Sequence, residues 1–192
     1  MKNNSIQRSE TINVDGSINF FNSLNIDQKK RFIFISSIAA SSETSSIYGK
    51  HKYEVENYIL SHGGKVIKLG ILTDIKTEGL IFLENLQSST KYLPFMPNFS
   101  GKKEIYFLTN KNTLQDYFDT LVVNQASNLQ DCFEKNPIDF KRLIRNVLLI
   151  RKPIINFPFI LGYQVVKLLN IFFSNFPVKP DSFEYIKFMR GK

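Results

Sequence analysis

Apolar residues in this chain gather in short runs broken by polar turns, the pattern of alternating strands and helices. Phe32-Ile33-Phe34-Ile35 has the length and composition of a buried parallel strand. It ends at Ser36-Ser37 and passes into a serine-rich loop over Ser41–Ser46. A helical pattern opens at Tyr48-Gly49-Lys50-His51-Lys52, and a second strand is expected over Lys65–Leu69. Near the C-terminus, residues 154–176 are rich in apolar and aromatic side chains. Pro158, Gln164, Lys167 and asparagines interrupt that stretch, so it does not read as the roughly 20-residue apolar span a membrane crossing needs. A buried helix accounts for it most simply. Its basic flanks, Arg151-Lys152 and Lys179, leave open an amphipathic helix lying on an anionic surface.

Composition narrows the class. A chain of 192 residues that is 43% hydrophobic can bury a core and is too apolar for disorder. The single cysteine, Cys132, excludes an intrachain disulfide and suits a reducing, cytoplasmic setting, with Cys132 itself read as a small buried residue. His51 and His62 have no cysteine or histidine spacing typical of a metal site, so no metal is expected. Met1–Asn13 lacks the apolar core of a secretory signal. The net charge of +8 is concentrated at the C-terminal end, where residues 141–192 hold ten Lys/Arg against two Asp/Glu. Such a surplus serves either as a hydrated basic face or as a set of cations for a diphosphate. Phenylalanines sit inside apolar runs and no recognition-module signature is present, so a nucleic-acid partner is not expected.

The segment with chemical content is residues 31–60. Tyr48 and Lys52 are four apart, on one face of a helix and one turn from each other. An ammonium beside a phenol favours the phenolate, drawing a group that ordinarily titrates near pH ~10 toward working pH. A serine hydroxyl from the strand end could hold the same substrate oxygen. Together these make a general acid/base site for carbonyl and alcohol chemistry. Such i,i+4 pairs are common on helix surfaces; the order strand, Ser-Ser, loop, Tyr-x-x-x-Lys, strand singles this one out.

That order resembles the extended short-chain dehydrogenase/reductases, in the NAD-dependent epimerase/dehydratase branch typified by UDP-glucose 4-epimerase. The family pattern YGxSKxxxE is met by Tyr48-Gly49-Lys50-His51-Lys52-Tyr53-Glu54-Val55-Glu56, with His51 where the family has serine. Asn13-Val14-Asp15-Gly16-Ser17-Ile18-Asn19-Phe20-Phe21 resembles the family's N-x-x-G-T-x-N-L-L helix. Val66–Asp74 falls where the family has a strand and a loop over the nicotinamide, without the usual Arg and Pro. Glu104–Thr109 and Asn112-Thr113-Leu114 resemble a later strand and helix start, with Thr113 as N-cap. The resemblance implies Ser37, Tyr48, Lys52 and Asn13 as the catalytic set. It also implies contacts to NAD or NADP from Ser36, Tyr48, Lys52, Ile71 and Leu72. The implied substrate is a nucleotide-diphosphate sugar, bound by the C-terminal part.

The expected fold is α/β: the C-terminal portion of a Rossmann-like, doubly wound parallel sheet with a small, mainly helical substrate-binding part. The boundary is expected at 125/126, with the partial NAD(P)-binding domain over 1–125. No G-x-x-G-x-x-G or G-x-G-x-x-G occurs in the sequence, and only 31 residues precede the serine strand. The phosphate-binding turn needs a strand, glycines and a helix N-terminus in series. The expectation is therefore a truncated or split enzyme, completed by an N-terminal partner chain, with a homodimer as another partner. The alternative is a non-catalytic remnant or interaction subunit that pairs through helices 10–25 and 48–62 and through the exposed edge of the 32–35 strand.

Overall fold

The computed structural model describes residues 10–73, 83, 87–88, 90–91, 93–98, 105–123 and 128–172. They fall into two compact units, one of Met1–Gly70 with Lys111–Phe133 and the other of Ile71–Asn110 with Glu134–Lys192. The units interleave along the chain, so they do not follow the expected boundary at 125.

The first unit is a parallel αβ layer. It opens with a π-helical turn, Thr11–Asp15, running directly into α1, Gly16–Ser23. A short helix α2, Ile26–Arg31, follows and carries its own start and stop signals. Asn25 and Gln28 form a reciprocal capping box, Asp27 sits in the first turn, and Lys29, Lys30 and Arg31 complement the C-terminal carbonyls. Strand β1, Ile33–Ser37, includes both serines and is one residue offset from the expected start. Helix α3, Ile47–Ser61, is capped by the Ser46 hydroxyl, which accepts from the Gly49 amide at 3.2 Å. Strand β2 covers Lys65–Leu69, as the sequence pattern anticipates.

The chain stops α3 with a glycine pair. Gly63 has φ of +80°, a left-handed conformation that side chains resist, and the Gly64 amide returns to the Ile59 carbonyl at 2.9 Å. Gly64 also has no room for a side chain: a Cβ there would lie 2.5 Å from Ile59 Cγ2 and 2.9 Å from Phe21 Cε2. Both neighbours belong to the core of this unit, where Val14, Phe21, Val55, Ile59 and Val66 are buried and Phe32, Phe34 and Tyr58 pack around them. The two helices expected as a pairing surface thus pack on each other within the chain.

The remaining parts of this unit come from far along the sequence. Helix α4, Lys111–Val123, begins two residues before Thr113, so Thr113 lies inside the first turn and is not its N-cap. Its Thr113 carbonyl meets the buried Cys132 thiol at 3.7 Å. Cys132 ends a strand, Leu129–Cys132, that pairs parallel with β2. The sheet therefore runs in the order β1, β2, Leu129–Cys132, all parallel. Crossovers of this kind build the α/β, Rossmann-like class expected from the sequence.

The second unit has small ladders around its own core. Parallel pairing joins β3, Ile71–Leu72, with β6, Leu108–Thr109, where the sequence was expected to form a loop. It likewise joins β4, Met96–Asn98, with β9, Ile154–Asn156. Strand β5, Ile105–Tyr106, pairs antiparallel with β8, Ile138–Asp139, which makes Leu129–Cys132 β7 in chain order. The expected strand over 104–109 is thus two short ones, β5 and β6, with Glu104 outside the described residues. A helical turn α5, Phe140–Arg142, continues as a π-helix over Leu143–Val147. Leu83, Met96, Tyr106, Leu108, Phe140, Leu143 and Ile144 form the buried centre. The Lys152 ammonium reaches the carbonyls of Thr90, Lys91 and Leu93 at 2.8, 2.9 and 2.7 Å.

Helix α6, Phe159–Phe172, occupies most of the apolar stretch read at residues 154–176; positions 173–176 lie outside the described residues, as do Asp74 and Lys179. Residues 128–172 contribute three short strands as well as their helices. Among the described residues, no helix is long and apolar enough to cross a membrane.

Gly64→Ala should lower unfolding stability by about 1–3 kcal/mol, the usual cost of forcing an extra group into a filled core. Urea unfolding checks this, and an unchanged midpoint would mean that Ile59 and Phe21 can move aside.

Candidate active site

The site is assembled where β1 ends and α3 begins. Successive side chains on a strand diverge, so Ser36 and Ser37 go to different partners. Ser37 Oγ accepts the Ala39 amide at 3.2 Å, while its carbonyl accepts Ala40 N–H at 2.8 Å, which turns the chain tightly after the strand. The Ser37 hydroxyl is also near enough to the Tyr48 phenol to lower its pKa. This approach depends on Gly49. A Cβ at that position would lie 2.5 Å from the Ala39 carbonyl and 2.8 Å from Thr44 Oγ1. Without a side chain, the first turn of α3 can lie against the turn that presents Ser37.

The electrostatics differ from the expectation for a Tyr-x-x-x-Lys pair. Desolvation raises the Tyr48 pKa above its ordinary value, and the Ser37 hydroxyl offsets that only in part. The Lys52 ammonium does not supply the expected lowering because it is engaged elsewhere. It donates to the Ile35 carbonyl at 2.9 Å and lies over the Phe34 ring, 4.6 Å from its centroid. Desolvation lowers the Lys52 pKa. In this state the phenol is a proton holder, neutral at working pH.

Ser36, expected as a cofactor contact, is built into a buried network. Its hydroxyl donates to Glu56 Oε2 at 2.9 Å, and Lys68 Nζ pairs with Glu56 Oε1 at 3.0 Å. Lys68 also donates to the Ala40 carbonyl at 2.9 Å. Ser36 and Lys68 are register partners across β1 and β2, and Glu56 is 2% exposed. Glu56 closes the matched YGxSKxxxE pattern but was given no role from the sequence, and Lys68 was not singled out. Glu56 falls four residues after Lys52 and eight after Tyr48, on the same helix face.

The other expected residues are placed less centrally. Asn13 is exposed on the π-helical turn, where its backbone carbonyl accepts the Ser17 hydroxyl at 2.7 Å. Ile71 and Leu72 belong to the second unit; Ile71 packs on that unit's core and Leu72 pairs with Thr109. The structure thus sets Ser37 and Tyr48 near each other and Lys52 one turn along α3. Among the described residues, no group of three His, Cys, Asp or Glu side chains could hold a metal ion.

Two outcomes follow from this geometry. Tyr48 should titrate above the ordinary tyrosine value of 10.0, and Ser37→Ala should raise it further, because the hydroxyl that lowers it is lost. The pH dependence of the tyrosine 13Cζ signal reads this, with Tyr48→Phe giving the assignment; a lower midpoint in Ser37→Ala would contradict the pairing. Glu56→Ala should cost about 3 kcal/mol in stability, since it leaves the partly buried Lys68 without a counter-charge and with the Ala40 carbonyl as its remaining acceptor. Thermal unfolding of the variant within error of the parent would show that Lys68 finds water instead.

No family model matches the sequence, and no curated protein sequence matches it. Solved structures do share its fold. One is the reductase domain of the aureusimine biosynthetic cluster, at 17% identity and a TM-score of 0.56, over 92% of this chain and 54% of that one. UDP-glucuronic acid 4-epimerase from Bacillus cereus, in complex with UDP-glucuronic acid and NAD, matches at 11% identity and a TM-score of 0.55. That match covers 92% of this chain and 68% of the epimerase. RMD from Pseudomonas aeruginosa, complexed with NADPH, matches at 11% identity and a TM-score of 0.52, over 80% of this chain and 63% of that one. The chain thus spans between 54% and 68% of the length of these three structures. Its fold is that of Rossmann-like epimerase and reductase structures, two of them determined with NAD or NADPH bound.

Proposed function

We propose that this chain carries the acid/base half of an NAD(P)-dependent epimerase, dehydratase or reductase acting on a nucleotide-diphosphate sugar. The observation that carries the reading is the placement of Ser37 at the C-terminal end of a parallel strand and of Tyr48 in the first turn of the helix that follows, with Lys52 one helical turn away. Ligands of open α/β sheets bind beyond the carboxyl ends of the strands. A half-exposed phenol paired with a hydroxyl there can exchange a proton with an alcohol or carbonyl oxygen.

The residues fit part of a dinucleotide. Ser37, Tyr48 and Lys52 form a polar group suited to hydroxyl-bearing ligands. Ser36 does not fit, because its hydroxyl is committed to the buried Glu56 carboxylate. The sequence has no glycine-rich turn for the pyrophosphate. We assign that element to a complementing polypeptide or to another segment of the protein.

A bound nicotinamide would supply the hydride chemistry at the sugar carbon. The chain's own part concerns the proton. Ser37 orients the sugar oxygen, Tyr48 Oη takes its proton or returns it, and Lys52 stabilises the phenolate once its ammonium is turned toward Tyr48. Asn13 supports the proton's path to solvent.

The edge that β1 presents among the described residues supports the second reading, an interaction subunit without catalysis of its own. Calorimetry of NAD(H) with the chain, alone and with a candidate complementing polypeptide, separates the two. Binding in either mixture supports the enzyme, and binding in neither leaves the interaction subunit. In a mixture that turns over, Tyr48→Phe should lower the rate by about 10²–10⁴-fold, the range for general acid/base catalysis, with cofactor affinity unchanged. Undiminished turnover would remove Tyr48 from the mechanism.

A further inference from the structure

Strand β1 stands at an edge of its sheet among the described residues, with β2 as its one ladder neighbour. Lys65 N–H bonds the Phe32 carbonyl at 3.0 Å, and Ile38 N–H bonds the Leu69 carbonyl at 2.9 Å. In a parallel ladder, alternate residues of a strand serve one neighbour. Phe32, Phe34, Ser36 and Ile38 therefore face β2, and the backbone groups of Ile33 and Ile35 face outward. The Ile35 side chain is 49% exposed, unlike the interior of a finished parallel sheet. An open edge of this kind is a template for another strand, and lysine is a common device for closing one. Here the closing lysine is Lys52, on the Ile35 carbonyl. One ammonium thus serves the sheet edge while its helix also presents Tyr48.

We propose that the outer edge of β1 accepts one further strand, which takes the Ile35 carbonyl from Lys52 and so releases the ammonium to the Tyr48–Ser37 pair. The occupant is an apolar, parallel-running segment of the polypeptide that supplies the cofactor-binding half, and in this it rests on the function proposed above. Three observations favour such a segment. Both ladders of the sheet are already parallel. The exposed edge side chain is an isoleucine. The matched structures are longer, this chain spanning 54% to 68% of them. A strand's N–H replaces the ammonium at Ile35, so the carbonyl keeps a donor and the charge becomes free to turn.

The exchange is a coupling, and coupling is reciprocal. Strand addition favours the phenolate, and a phenolate that draws Lys52 away favours strand addition. The proton chemistry is held back until the sheet is completed.

A strand tethered to the chain tests this. Six residues of alternating Val and Thr are joined ahead of residue 1 through a Gly/Ser linker of about 20 residues, long enough to reach roughly 25 Å. The control extension carries Pro at every second position and cannot pair. With the pairing strand, Ile35 N–H should become protected from hydrogen exchange. The Tyr48 13Cζ midpoint should then fall by about one unit, a tenfold loss of proton affinity. In Lys52→Met the strand should protect Ile35 at least as well, and Tyr48 should not respond. Protection of Ile35 with Tyr48 unmoved would refute the release, and no protection would refute the edge as an acceptor. Neither readout involves cofactor or turnover, so failure to bind NAD(H) would sink the catalytic reading separately.

Discussion

A carboxylate removed from water organises the first unit. Glu56 is almost fully buried, and a buried charge is tolerated only where an opposite charge and hydrogen bonds replace its hydration. Its two oxygens are met by Ser36 of β1 and Lys68 of β2. Those residues can converge on one carboxylate because they are register partners, so a slip of one residue between β1 and β2 would separate them. Lys68 extends the constraint to the Ala40 carbonyl and ties down the turn after β1. Ser37 sits between the fixed strand and the fixed turn. The position of the reactive pair is thus inherited from electrostatics one residue away.

Helix α3 carries three charged or polar functions along one face, each with a different environment. Tyr48 lies at the strand ends with its ring half exposed, Lys52 at the sheet edge, and Glu56 in the interior. Spacing by four residues distributes them over three successive turns. A single helix therefore sets proton chemistry, edge protection and strand register together, which limits how independently these can change.

Much of this was legible in the sequence, for identifiable reasons. Strands over Phe32–Ile35 and Lys65–Leu69 and the helix after Ser46 announce themselves by apolar runs, a serine cap and a glycine stop. That Ser37 ends the strand and Tyr48 opens the next helix follows from the order of those elements. The direction of the Tyr48 pKa shift was not legible. Spacing says that Lys52 can reach the phenol, but the outcome depends on a competing acceptor, the Ile35 carbonyl, which exists only because β1 is an edge. Strand β7 was missed because Leu129-Gln130-Asp131-Cys132 has no apolar run; its pairing with β2 is a tertiary effect. Ser36 was misassigned for a related reason, since sequence alone does not show which of two adjacent serines turns toward a buried acid.

The contacts of Lys152 bear on how the second unit opens. One side chain there satisfies three backbone carbonyls about sixty residues away along the chain. The strand that follows it, β9, is laddered to β4 a few positions beyond those carbonyls. Parting the two segments would break the ladder and the three ammonium bonds together, so they form one cooperative opening unit in hydrogen exchange. Acetylation of that lysine would remove two of its three donors and its charge, turning a covalent mark at one position into local unfolding at another.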